Sequence, residues 1–208
     1  MFDSRKAINN MCDEANNGLN VHNYLKTKNV GELRTICDNS RNPFGIVCLN
    51  VLGELNIGTM IRNSTLFGAQ EVLVLGRRRF DKRGVVGASN YIPVAKVDAM
   101  KNDWEIDPDV FVSELKKRNW CPVFAELGGL CLGSFDWHEV IANMNGQIPA
   151  IVMGNENSGI SDELLATRSE FAGSQIVSIP QKGVIRSFNV GVAHGIICSN
   201  MCLDLGWL

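Results

Sequence analysis

Three short segments combine residue types that can orient a ligand and act on it. The first, Asn56-Ile57-Gly58-Thr59-Met60-Ile61-Arg62, carries an amide, a bare glycine and a guanidinium. The pattern predicts a helix over 57–67 with Asn56 as its N-cap, and Arg62 one turn above Gly58. Helical side chains lean toward the N-terminus, so the guanidinium is expected to pass over Gly58 toward the edge of a sheet. Read alone, the segment also fits an ordinary surface arginine.

The second, Met153-Gly154-Asn155-Glu156-Asn157-Ser158-Gly159-Ile160-Ser161, follows an apolar run and leads into a helix capped by Ser161. Its outline is that of a phosphate loop. Ile160 stands where a Walker loop needs lysine, so the cation that would meet the β and γ phosphates is missing and a nucleoside triphosphate is disfavoured. Neither Gly-x-Gly-x-x-Gly nor Gly-x-Ser-x-Gly occurs in the chain, which weakens dinucleotide and serine-hydrolase readings. The third segment, Ile179 to Val190, offers Ser187 and Asn189 as helix caps or as polar donors to a neutral heterocycle; spacing alone does not choose.

The elements that must hold these turns follow from periodicity. Apolar, β-branched runs at Phe44 to Asn50, Glu71 to Leu75, Pro122 to Glu126, Ile148 to Met153 and Gln175 to Ile179, with a weaker one at Ile92 to Val97, predict strands. Helical patterns over 57–67, 109–118, 161–167 and 189–205 alternate with them. Most of the strand runs are too continuously apolar for a one-sided sheet. The expectation is an α/β fold, a parallel sheet flanked by helices with ligands beyond the carboxyl ends of the strands. Residues 1–40 read as a polar, partly helical extension, with weak helical patterns at Ala7 to Ala15 and Val30 to Cys37. Asn29 and Glu32 have capping-box spacing for the second. The remaining 41–208 form the main domain.

At 208 residues with 45% apolar residues the chain is long enough for one self-sufficient domain. Twenty Lys and Arg against 22 Asp and Glu give a net charge of −2, so it is no polycation. Charge is nevertheless segregated. Arg77, Arg78, Arg79, Lys82 and Arg83 place five cations in seven residues just after a strand, and Asp98 to Glu114 carries an acidic cluster. The basic turn is a candidate phosphate contact. Seven cysteines without a Cys-x-x-Cys pair and three scattered histidines argue against a disulfide scaffold or a metal cluster. The opening residues lack the apolar core of a signal peptide and no run of roughly 18 apolar residues occurs, so a soluble, cytoplasmic protein is expected.

Taken together and in this order, the three segments resemble the motifs of the SPOUT superfamily, specifically its SpoU-type RNA ribose 2′-O-methyltransferases. Asn56, Gly58 and Arg62 match the first motif. Met153, Gly154, Glu156, Gly159, Ile160 and Ser161 match the second, and Ile179, Pro180, Gly183, Ser187, Asn189, Val190, Val192 and Ala193 the third. The resemblance covers about residues 41–207. The departures are Phe188 for the usual Leu, Gly191 for the usual Ser, His194 in an otherwise apolar helix, and Asn157-Ser158 in the second loop.

The resemblance implies a C-terminal trefoil knot, S-adenosylmethionine as cofactor, a homodimer, and tRNA or rRNA as partner, with no metal. It implies catalytic roles for Arg62, Asn56, Glu156, Ser187 and Asn189. Cofactor contacts would come from Glu126, Met153, Gly154 and Ile179, together with Ser187, Phe188 and Asn189. RNA contacts would come from Arg77, Arg78, Arg79, Lys82 and Arg83. The apolar stripe Val190, Ala193, Ile197, Met201 and Leu205 would suit either a partner surface or the core. Gly191 is expected to loosen the start of the last helix, and His194 to be a packed or interface histidine. A non-catalytic RNA-binding protein and a base methyltransferase are the alternatives.

Overall fold

The computed structural model describes residues 20–50, 56–77, 84–155 and 158–208. Among the described residues, six strands form one sheet in the order β3-β2-β1-β5-β4-β6, every neighbouring pair parallel. They are β1 (Gly45–Asn50), β2 (Glu71–Gly76), β3 (Val94–Val97), β4 (Trp120–Cys131), β5 (Ile148–Met153) and β6 (Gln175–Ser178). The helices are α1 (Val30–Asn39), α2 (Asn56–Leu66), α3 (Pro108–Lys117), α4 (Trp137–Ala142), α5 (Asp162–Ala166) and α6 (Val190–Asp204). The continuous apolar runs have the expected physical cause. All six residues of β1 are buried, as are five of six in β2 and in β5, because helices cover both faces of these central strands.

Helix ends follow their capping chemistry. Asn29 and Glu32 exchange the two bonds of a capping box at the start of α1. Asp107 accepts from the backbone of Asp109 and Val110 ahead of Pro108 in α3. Gly68 stops α2 at φ +70, with the Ala69 amide returning to the Ser64 carbonyl at 2.9 Å. Helix α1 docks through buried Leu33, and Arg41, which pairs with Asp38 of that helix, donates to the carbonyls of Ala69 and Tyr91, both at 2.9 Å. The weak helical pattern at Ala7 to Ala15 lies outside the described residues.

Two expectations are corrected and one helix is added. The strand expected to end at Glu126 runs on to Cys131, with a register break between Ala125 and Leu130 against Val177. This is a bulge, which keeps the ladder while turning Glu126 and Leu127 out of it. The short helix α4 escapes periodicity because six residues give less than two turns; it packs its buried Trp137 beside α6, the indole Nε1 donating to Asn200 Oδ1 at 2.8 Å. Asn56 is the first residue of α2 rather than the residue before it.

Candidate functional site

The parallel sheet brings the carboxyl ends of β4, β5 and β6 to one edge, and the segments leaving them enclose a cleft. Its walls are Ala125 to Leu127, Met153 to Asn155 with Gly159, Val177 to Ile179, Gln181, and Arg186 to Phe188, closed by Val190, Ala193 and Ile197 of α6. Of the residues with expected cofactor roles, Glu126, Met153, Gly154, Ile179, Ser187 and Phe188 line this cleft. Asn189 does not; it caps α6, its Oδ1 accepting from the Gly191 and Val192 amides at 3.0 and 3.3 Å.

The second loop is held by its own backbone and by one carboxylate. Asn155 and Gly159 exchange backbone bonds at 3.2 and 3.1 Å, and Asn155 Oδ1 accepts from the Ser158 amide at 2.8 Å. Gly154 is glycine because a Cβ there would lie 2.6 Å from the Gly159 carbonyl carbon. Glu126 Oε2 accepts from the Ile160 amide at 3.0 Å and Oε1 from the Leu127 amide at 2.9 Å. The bulge in β4 thus ties the strand to the loop. Glu156 and Asn157 lie outside the described residues.

The first segment is joined to the third rather than to the cleft wall. Asn189 Nδ2 donates to Asn56 Oδ1 at 3.0 Å, and one turn on, Asn63 Nδ2 donates to the Gly191 carbonyl at 3.1 Å. Gly191 is therefore a packing residue. A Cβ there would lie 3.1 Å from Thr59 Cγ2, so its bareness lets α6 approach α2 closely. Arg62 is exposed on α2; it does not line the cleft and forms no hydrogen bond or ion pair among the described residues. The space over Gly58 is not filled by Arg62, as its spacing suggested. A Cβ at Gly58 would meet the Gly84 Cα and Val85 N at 2.9 Å. Two glycines in contact bring the end of the basic turn against the start of α2. The turn's other end is fixed at Arg77, whose amide donates to the Asn50 carbonyl at 2.7 Å and whose guanidinium reaches the Asp103 carbonyl at 3.0 Å. Arg78, Arg79, Lys82 and Arg83 lie outside the described residues.

The apolar stripe of α6 belongs to the core and the cleft. Ile197 and Met201 are buried, and Val190 and Ala193 line the cleft with Ile197. The apolar residues α6 leaves open are instead Val192 and Leu203. His194 is fully buried, with Nε2 lying 3.5 Å from Ser64 Oγ and 3.4 Å from Cys198 Sγ, and Nδ1 without a partner. Burial pushes its pKa down to about 3, so it packs as a neutral imidazole. Burial likewise raises the thiols of Cys48, Cys121, Cys198 and Cys202, which fits structural cysteines. The described residues contain no cluster of three or more His, Cys, Asp or Glu side chains arranged to hold a metal.

Spacing missed Gln181 and Arg186 as cleft residues, because the motif directs attention to Ser187 and Asn189. A cation directly before Ser187 is a signal that the sequence did contain.

The SpoU rRNA Methylase family model matches residues 43–199, most of the chain, and the chain belongs to that family. It is 31% identical over 154 residues to an uncharacterized tRNA/rRNA methyltransferase of Archaeoglobus fulgidus, covering 71% of this chain and 58% of that protein. It is 28% identical to the 23S rRNA (guanosine-2′-O-)-methyltransferase RlmB of Pectobacterium atrosepticum, covering 79% of this chain and 62% of the other. The chain thus spans about 60% of the length of these two relatives. Its fold is similar to that of the SpoU methyltransferase AviRb from Streptomyces viridochromogenes, solved in complex with the cofactor AdoMet. The TM-score is 0.61 at 22% identity, covering 79% of this chain and 59% of that one.

Proposed function

We propose that this protein transfers a methyl group from S-adenosylmethionine to a ribose 2′-hydroxyl of tRNA or rRNA. The observation that carries the reading is the cleft at the carboxyl ends of β4, β5 and β6, built from the second and third motifs, with the first tied to it through Asn56 and Asn189. The residues suit this donor, which has no phosphate: the cleft offers apolar walls from Met153, Val177, Ile179 and Phe188, main-chain groups at Gly154, and only one cation among its described lining residues. AviRb's AdoMet complex supports the same choice. When bound, the cofactor supplies an electrophilic methyl on a sulfonium. Glu126, Met153, Gly154, Ile179, Ser187 and Phe188 would hold it, with Asn189 fixing the helix behind.

Positioning is expected to supply much of the rate. A guanidinium stays protonated at neutral pH, so Arg62 is assigned to polarising the hydroxyl and clamping the adjacent phosphate, with Asn56, Glu156, Ser187 and Asn189 orienting the groups around it. The basic turn 77–83, anchored at Asn50 and Gly58, would carry RNA backbone contacts. Five single-strand contacts give a salt slope of roughly −3.5.

A homodimer belongs to this reading. Its interface would use the open apolar residues Leu66 of α2 and Val192 and Leu203 of α6, 69%, 51% and 66% exposed. So does a trefoil knot; the chain's return from β6 at the sheet edge to α2 beside central strand β1 supports that threading. The residues before 41 form an extension that covers the domain or docks RNA. A cytoplasmic location is part of the same proposal; no helix among the described residues is long and apolar enough to cross a membrane.

Tritiated-methyl transfer to RNA from cells lacking the protein, followed by nuclease digestion and mass spectrometry, tests it. Ribose-methylated nucleosides are expected. Label on a base would assign base methylation, and donor-independent RNA binding without label would leave a non-catalytic protein.

A further inference from the structure

Three of the cleft's six polar side chains, those of Glu126, Asn155 and Ser178, are committed to the fold, while Gln181, Ser187 and Arg186 form no side-chain hydrogen bond among the described residues. Glu126 holds the Leu127 and Ile160 amides, Asn155 holds Ser158, and Ser178 Oγ donates to the Gly129 carbonyl at 2.9 Å. Arg186 is different. It is the sole cation among the described lining residues, it is exposed at the cleft mouth, and it makes no ion pair or hydrogen bond among the described residues. A fixed positive charge beside a sulfonium repels it, so this guanidinium has a use only at an anionic end of what the cleft takes. Arginine suits planar oxyanions, which it grips with paired N–H donors.

We propose that Arg186 is an oxyanion-binding residue at the mouth of the cleft. Resting on the methyl-transfer reading, the inference names two sources for that oxyanion: the carboxylate of the donor's amino-acid tail, or a phosphate of the RNA strand next to the target ribose. The neighbouring Val184 and Ile185 extend the same segment outward, with Ile185 78% exposed, so the loop carrying Arg186 faces whatever approaches the cleft.

Arg186→Gln and Arg186→Lys separate the sources. Calorimetry would compare S-adenosylhomocysteine with 5′-methylthioadenosine, which keeps the nucleoside thioether and lacks the amino-acid tail. If the carboxylate is held, Arg186→Gln weakens S-adenosylhomocysteine roughly tenfold or more, as losing a hydrogen bond to a charged group does, and leaves methylthioadenosine unchanged. If a phosphate is held, both nucleosides bind as before. The KM for total RNA from cells lacking the protein then rises, and the salt slope of RNA binding falls by about 0.7. Arg186→Lys should recover part of either effect. Unchanged nucleoside affinity, RNA KM and salt slope in Arg186→Gln would overturn the proposal. Failure of the unmutated protein to bind either nucleoside would instead remove the donor reading beneath it. Arg186 is exposed, so an unaltered melting curve is expected and serves as the folding control.

Discussion

The side-chain amide of Asn189 works in two directions: Nδ2 donates to Asn56 Oδ1 at 3.0 Å, while Oδ1 accepts the Gly191 and Val192 amides that begin α6. One residue therefore starts the last helix and fastens it to the first motif. The two jobs can be separated. Asn189→Asp keeps the cap acceptor and loses the donor, so stability should stay within about 0.5 kcal/mol while methyl transfer falls sharply. Asn189→Ala loses both and should also cost about 1 kcal/mol. Urea unfolding beside single-turnover methylation reads the two effects; equal destabilisation by both variants would show that the contact to Asn56 is chiefly structural.

Arg62 stands exposed and outside the cleft, so its removal should spare the donor site. Arg62→Ala is expected to abolish methylation while S-adenosylhomocysteine affinity stays within about twofold, since no contact of the cleft wall depends on it. Calorimetry and methyl-transfer assays on one preparation check this. Parallel loss of both activities would contradict the division of labour.

Gly58 allows the backbone at Gly84 and Val85 to touch α2. A Cβ there would meet main-chain atoms at 2.9 Å, which no rotamer change relieves, so Gly58→Ala should destabilise by about 1–3 kcal/mol. Because that contact anchors the basic turn, the variant should also bind RNA more weakly. Wild-type stability in Gly58→Ala would refute the packing account.

His194 makes stability depend on pH. The unfolded chain takes up a proton near pH 6.5 whereas the folded imidazole, facing Ser64 and Cys198, resists until about 3. More protons are bound unfolded in that window. Stability is fully present above pH 6.5 and declines as pH falls, by about 1.4 kcal/mol per pH unit toward the lower value. Glu114, held below the usual carboxylate range by Lys117 and Arg118, loses its contribution only beneath the ordinary carboxylate value near 4.5. Unfolding between pH 6.5 and 5 therefore isolates the histidine. His194→Leu should flatten that slope, and an unchanged slope would reject the assignment.

Much of the architecture was readable because it rests on local chemistry. Buried parallel strands show as unbroken apolar runs, and Asn29, Ser161 and Asn189 announce helix starts by type alone. What stayed hidden depends on partners distant in the chain. The strand run expected to end at Glu126 gave no sign that Gly128 and Gly129 sit in a bulge that keeps β4 paired with β6, where a Cβ at Gly129 would strike the Ile176 backbone at 2.6 Å. The bareness of Gly58 was visible, but not that Gly84 fills it. The cleft residues Met153, Gly154, Ser187 and Phe188 could be anticipated from the motifs, whereas Arg186, visible as a cation directly before Ser187, gains its place at the cleft only when the third turn folds over the ends of the strands.

The strand order divides the molecule along a seam. β1, β2 and β3 come from one stretch of chain and β4, β5 and β6 from a later one, and within the sheet they meet only where Gly45 to Cys48 pair with Ala150 to Met153. Every described residue lining the cleft lies in the later half, and Arg62 and the basic turn lie in the earlier. Native-state hydrogen exchange should resolve two cooperative units of different opening free energy. Ligands of the two halves would then protect different sets of amides, and only a ternary complex would slow exchange across the β1–β5 junction.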